Sequence, residues 1–132
     1  MILVDTSAFY ALADAADAQH RAARRALGRL ERDGEELLVH TYVLLETFAL
    51  LHRRHGLPLA VRFARDTRTL RTVAVDRELH DGAIEWLRRR KGRGPSLVDA
   101  VSFLVMRREG VAVAFAFDPD FVRAGYRLYP TD

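Results

Sequence analysis

At 132 residues, 49% of them apolar and 30% charged, the chain has the balance of one globular core that hides roughly two thirds of its unfolded surface, which excludes a disordered or fibrous protein. Cysteine is absent, so disulfides, thiolate metal sites and cysteine nucleophiles are excluded, and any metal must be a hard ion held by oxygen. The formal charge is +3, and every basic residue except Lys91 is Arg, the side chain better suited to fork-like contact with phosphate.

The chain starts directly on Ile2-Leu3-Val4-Asp5, without a basic segment leading into a long apolar stretch, so neither a secretory leader nor a membrane span is expected and the cytoplasm is the expected location. Ile2-Leu3-Val4 predicts a buried first strand that stops at the polar triplet Asp5-Thr6-Ser7. A short helix is expected over 9–13. Asp17 then caps a longer one that carries Ala22, Ala23, Ala26, Leu27 and Leu30 at helical spacing and ends at Gly34. Leu37-Leu38-Val39 predicts the second strand, and Thr41 opens a strongly apolar helix over 42–55, closed by Gly56.

Pro58 restarts helix in its first turn, and a third strand is expected over 72–75. Asp76 caps a helix whose apolar side is Leu79, Ala83, Ile84 and Leu87, with Trp86 as a packing residue and the basic run 88–95 as a loop. A helix follows from Ser96 to Gly110, then a fourth strand over 111–115, a short helix from Asp118-Pro119-Asp120, and a last, edge strand over 126–129. Short apolar strands alternating with helices imply an α/β fold with a mostly parallel sheet of four or five strands, covered by helices on both faces.

In such a sheet the ligand crevice lies beyond the carboxyl ends of the strands. Asp5 follows the first strand, Asp118 closely follows the fourth, and Asp99 falls in the first turn of a helix. Each has a plain alternative as a helix cap, and Ser96 with Asp99 fits a capping box. Glu46 stands inside the apolar stretch 43–51, where an ionised carboxylate costs several kcal/mol unless a cation answers it; His52, Arg53 and Arg54 are nearby ion-pair alternatives. Taken together, several carboxylates in one crevice repel one another unless a divalent cation neutralises them, which predicts Mg²⁺ or Mn²⁺.

Val4-Asp5-Thr6-Ser7-Ala8, Leu45-Glu46, Ser96-Leu97-Val98-Asp99-Ala100 and Phe117-Asp118-Pro119-Asp120-Phe121, in this order over essentially the whole chain, resemble the PIN-domain family and in particular the VapC-like toxins of prokaryotic toxin–antitoxin pairs. The resemblance implies one PIN-like domain over 1–132, a three-layer α/β/α sandwich, and a metal-dependent endoribonuclease site built from Asp5, Glu46, Asp99 and Asp118. Asp120 is a supporting acid and a rival to Asp118 as the fourth, with Thr6, Ser7 and Ser96 as supporting residues. It also implies RNA as substrate, cleavage to 5′-phosphate and 3′-hydroxyl ends, a cognate antitoxin protein and a homodimer. Ala116 departs from the family's pattern, which often has Thr or Ser two residues before the fourth acid; the hydroxyl contact is lost, which makes Asp118 the least secured of the four.

Arg88, Arg89, Arg90, Lys91 and Arg93 form a cationic run that can hold an RNA backbone, with a solvated helix end as the alternative. The five histidines show no metal or triad pattern; His40, after the second strand, is the one that could approach the crevice, and the rest read as surface residues. The apolar second and third helices suit a homodimer or an antitoxin segment as well as ordinary burial. Aspartyl phosphatases require a second Asp two residues after the first, where Ser7 stands, and phosphorelay receivers require an acidic pair at the first strand and a Lys late in the chain, whereas the sole Lys is Lys91 in the expected loop. The remaining alternative is a PIN-like module that binds RNA or protein without cutting, which gains nothing from a groove of acids facing phosphate.

Overall fold

Strands β1 (Ile2–Val4), β2 (Leu37–His40), β3 (Arg71–Val73), β4 (Val113–Phe115) and β5 (Arg127–Tyr129) form one sheet in the order β3-β2-β1-β4-β5, with every neighbouring pair parallel. The structure is a computed structural model that describes residues 1–90 and 94–131. Two helices, α1 (Thr6–Ala13) and α2 (His20–Arg32), join β1 to β2, and α3 (Thr41–His55) and α4 (Leu57–Asp66) join β2 to β3. The return from β3 to β4 runs through α5 (Arg77–Arg88) and α6 (Leu97–Glu109), and α7 (Asp120–Arg123) precedes β5.

The period-two geometry of a strand divides the apolar residues between two cores. Ile2 and Val4 of β1, Val39 of β2 and Phe115 of β4 pack on one face with Phe9, Leu30, Leu51 and Phe63. Leu3, Leu38 and Ala114 point the other way, into a layer with Leu79, Val101, Phe103 and Met106. This is the expected three-layer sandwich. The connections leave β1 in one direction toward β2 and β3 and return to its other side at β4, so the chain's direction of winding reverses between β1 and β4. A crevice opens at such a reversal, beyond the strands' carboxyl ends.

Several boundaries differ from those expected, each for a local reason. Helix α1 starts at Thr6 rather than near residue 9, because the Asp5 side chain accepts from the Ser7 backbone N–H and caps it at once. Asp17 does not cap α2; its carboxylate accepts from the Gln19 N–H in the loop before it. Strand β3 lies at Arg71–Val73, earlier than expected, and at this sheet edge Arg71 and Thr72 face solvent, so burial on both faces holds only for the inner strands. Ile84, assigned to the apolar side of α5, is 46% exposed. That helix continues through Arg88, which places Arg88 at its last turn and Arg89 at its cap rather than in a loop; Lys91 and Arg93 lie outside the described residues. Gly110 ends α6 in the left-handed conformation, at φ 69°, as its position predicts.

Candidate active site

Asp5 ends β1 at the centre of the sheet, and its backbone N–H donates to the Phe115 carbonyl of β4 at 3.0 Å. Its side chain is 4% exposed. Both hydrogen bonds it accepts land on Oδ2, from the Ser7 N–H at 3.1 Å and the Ser7 hydroxyl at 2.6 Å. The same Ser7 oxygen accepts from the Phe117 N–H at 2.9 Å, so one hydroxyl fastens the end of β1 to the segment leaving β4. Ser7, expected as a supporting residue, thus commits its hydroxyl to two protein partners. Burial pushes the Asp5 carboxyl above its ordinary range, the Ser7 donors oppose this, and the charge of Asp118 adds to the rise.

Asp99 occupies the third position of α6 and completes the capping box. Its N–H donates to Ser96 Oγ at 3.1 Å, and its Oδ2 accepts from the Ser96 N–H at 3.1 Å. Its pKa is pushed up to about 6, first by burial and then by the charges of Asp5 and Asp118, with the Ser96 N–H opposing. Asp118 follows β4 and its Oδ1 accepts from the Asp120 N–H at 2.9 Å. One carboxylate oxygen each from Asp99, Asp118 and Asp120 lie within 4.8 Å of one another. Asp120 is also paired with Arg123, which already answers part of its charge.

Glu46 sits in the second turn of α3 and is half-buried, less than its apolar sequence context predicts. The reason is that α3 is apolar on nearly all sides without being covered on all sides: Leu45 is 66% exposed. Glu46 has no hydrogen bond or ion pair to another described residue, and His52 and Arg54, nearby alternatives as its partners, engage the Phe48 and Tyr10 rings. It faces the same cleft of 370 Å³ as Asp5, Asp99 and Asp118. Asp17 joins them there, so five acids line this cleft and no Lys, Arg or His does among the described residues. Ser96 and Thr6 line it too, and the Thr6 hydroxyl is buried with no hydrogen-bond partner.

Uncompensated carboxylates, an orphaned hydroxyl and a donor set made only of oxygen fit a hard divalent cation. Asp99, Asp118 and Asp120 bring carboxylate oxygens close enough together to share one ion, and Asp5 and Glu46 line the cleft beside Asp99 and Asp118.

Two residues of the site were not foreseen from the sequence, and one residue expected near it lies elsewhere. Asp17 and Tyr10 reach the cleft from the α1–α2 region through tertiary packing alone. His40 does not approach the cleft; it is fully buried, its Nε2 donates to Ser102 Oγ at 2.8 Å, and its Nδ1 accepts from the Val43 N–H at 3.3 Å. Ser102 in turn donates to the Val98 carbonyl at 3.2 Å, which ties the start of α3 to the start of α6. A histidine ending an apolar strand was the signal available for that role. Trp86 packs against Phe103 at 5.3 Å, as expected of a core residue. Arg88 and Arg89 both bind Glu85, at 2.7 and 3.2 Å, and Arg90 lies 3.2 Å from the Trp86 ring centroid.

A parallel α/β/α sandwich with acids gathered at the reversal beside its first strand is the frame of a PIN domain, and the chain belongs to the PIN domain family, which matches residues 2–125. It is 42% identical over 128 residues to a protein of Mycobacterium tuberculosis named 23S rRNA-specific endonuclease VapC20, covering 96% of this chain and 95% of that protein, in strain H37Rv and equally in strain CDC 1551. The crystal structure of Mycobacterium tuberculosis VapC20, described as a sarcin–ricin loop cleaving toxin, superposes with a TM-score of 0.84 at 41% identity over 96% of each chain.

Proposed function

We propose that this protein is a divalent-metal-dependent endoribonuclease, the toxin of a toxin–antitoxin pair, and that it cuts a structured loop of 23S ribosomal RNA as its Mycobacterium relatives are named for doing. The observation that carries this reading is the cleft of five carboxylates with no basic side chain lining it among the described residues, an arrangement that costs the fold energy and that a metal and then a phosphodiester would put to use. Asp5, Glu46, Asp99 and Asp118, with Asp120 beside Asp99 and Asp118, would hold Mg²⁺ or Mn²⁺. Such an ion polarises a phosphodiester, shields the charge that builds on its oxygens and renders a water acidic enough to attack.

The chain's own residues supply position. Ser7 fixes the rotamer of Asp5 and the path of Phe117, the capping box fixes Asp99, and the Asp120 N–H orients Asp118. The free Thr6 hydroxyl offers one more donor or acceptor inside the cleft. Hydrolysis needs no side-chain nucleophile, and the products carry a 5′-phosphate and a 3′-hydroxyl.

The proposed place of action on ribosomal RNA is the cytoplasm; no helix among the described residues is long and apolar enough to cross a membrane. The cognate antitoxin and a second copy of the chain are the expected protein partners. A 640 Å³ groove lined by Phe9, Leu27, Leu59, Phe63 and Leu70 supports docking of an amphipathic antitoxin segment.

The test is cleavage of 23S ribosomal RNA by purified protein with Mg²⁺, with EDTA, and with Asp5→Asn. Metal removal and the substitution should each abolish cutting. Equal activity in all three identifies a contaminant and refutes the proposal.

A further inference from the structure

A cleft walled by acids can bind a metal, but it repels the polyanion it must accept, so cations elsewhere have to hold the RNA strand. We propose that Arg53 and Arg54, at the last turn of α3, form with Tyr10 an RNA-backbone subsite where the strand leaves the acidic cleft. This rests on the nuclease reading above.

Helix α3 presents Glu46 and Leu50 to the cleft wall. Residues seven and eight beyond Glu46 return to nearly the same helical face, so Arg53 and Arg54 continue that wall. At about 1.5 Å per residue they lie roughly 11–12 Å further along the axis.

Arg54 is held in place. Its guanidinium lies over the Tyr10 ring, 5.2 Å from the centroid, and that ring itself lines the cleft. The Tyr10 hydroxyl is bound to His55 Nε2 at 3.1 Å, and His55 meets Asp14 at 3.4 Å, which restrains the ring and with it the cation. A guanidinium ordered before RNA arrives loses less entropy on contact. Neither Arg53 nor Arg54 takes part in an ion pair among the described residues, whereas Arg88 and Arg89 share Glu85. Favourable interaction with the helix dipole accounts for basic residues in this turn. It does not account for seating one of them on a ring from another helix at the cleft's rim.

The experiment measures binding of a labelled sarcin–ricin-loop RNA against salt concentration, with Ca²⁺ replacing Mg²⁺, together with steady-state cleavage in Mg²⁺. Arg53→Ala/Arg54→Ala should reduce the slope of log K against log salt by about 1.4–1.8, the loss of two phosphate contacts, and weaken binding about tenfold. The cleavage defect should fall mainly on KM, and Arg53→Lys/Arg54→Lys should restore most of the slope. The charge-matched pair Arg62→Ala/Arg65→Ala on α4 should change the slope much less. A wild-type slope in the first double variant, or an equal loss in the α4 pair, overturns the subsite. Wild-type protein that neither binds nor cuts the RNA overturns the nuclease reading itself.

Discussion

Lowering the pH from 7.5 to 4 is expected to cost the fold up to about 3 kcal/mol at one side chain, His40. Burial lowers its pKa from 6.5 to about 4. Its Nδ1 is used as an acceptor for the Val43 N–H and its Nε2 as a donor to Ser102, so a second proton would break the first bond inside a dry core. Between pH 6.5 and 4 the unfolded chain binds a proton at this position that the folded chain refuses. The stabilisation is therefore complete above pH 6.5, falls as the pH drops, and stays low below pH 4. At about 1.36 kcal/mol per unit over the interval, the loss by pH 4 is about 3 kcal/mol. Asp5 and Asp99 work the opposite way. Their pKa values are raised in the folded state, so their cost to stability is relieved as acid protonates them, for Asp99 between about 6 and 3.8. The raw pH profile is a sum of these, and the His40 part is isolated by difference. Urea unfolding of wild type and His40→Gln at pH 7.5, 6.5, 5.5 and 4.5 should show the wild-type advantage shrinking by up to about 1.4 kcal/mol per unit below pH 6.5. An advantage that stays constant across that range refutes the reasoning.

Two further outcomes follow from the site. A proton and a divalent cation compete for Asp99, whose pKa is about 6 without metal, so Mn²⁺ affinity measured by calorimetry should rise with pH through 6 and flatten above it, by up to about tenfold per unit; a flat profile from pH 5 to 7 would remove Asp99 from the ligand set. Ser7→Ala deletes a donor to Asp5 and leaves the Phe117 N–H without its partner, which should lower stability by about 1–3 kcal/mol in thermal unfolding and weaken metal binding; an unchanged melting temperature would show that the Ser7 bridge contributes nothing to the fold.

The order and type of the elements were legible because each strand is a short apolar run and each helix keeps its period, and these signals are local. What was not legible depends on covering. Ile84 and Leu45 have apolar side chains on faces that nothing packs over, while His40 and Ser102 are polar yet fully buried because their polar atoms satisfy one another across 62 residues. The acids were legible in position but ambiguous in role, since Asp5, Asp99 and Asp118 each fit a cap as well as a ligand and Glu46 fits an ion pair as well as a ligand. The structure removes that opposition. Asp5 accepts its capping bonds on Oδ2, Asp99 accepts from Ser96 on Oδ2, and Asp118 accepts from Asp120 on Oδ1. A carboxylate has two oxygens, and the capping bonds of Asp5 and Asp99, like the turn bond of Asp118 ahead of α7, take one of them. These local bonds fix each side chain's direction and leave the second oxygen for the cleft, so a capping or turn role is compatible with the proposed role as a metal ligand. Glu46 has no such bond, which makes it the acid with the most orientational freedom in the cation's absence.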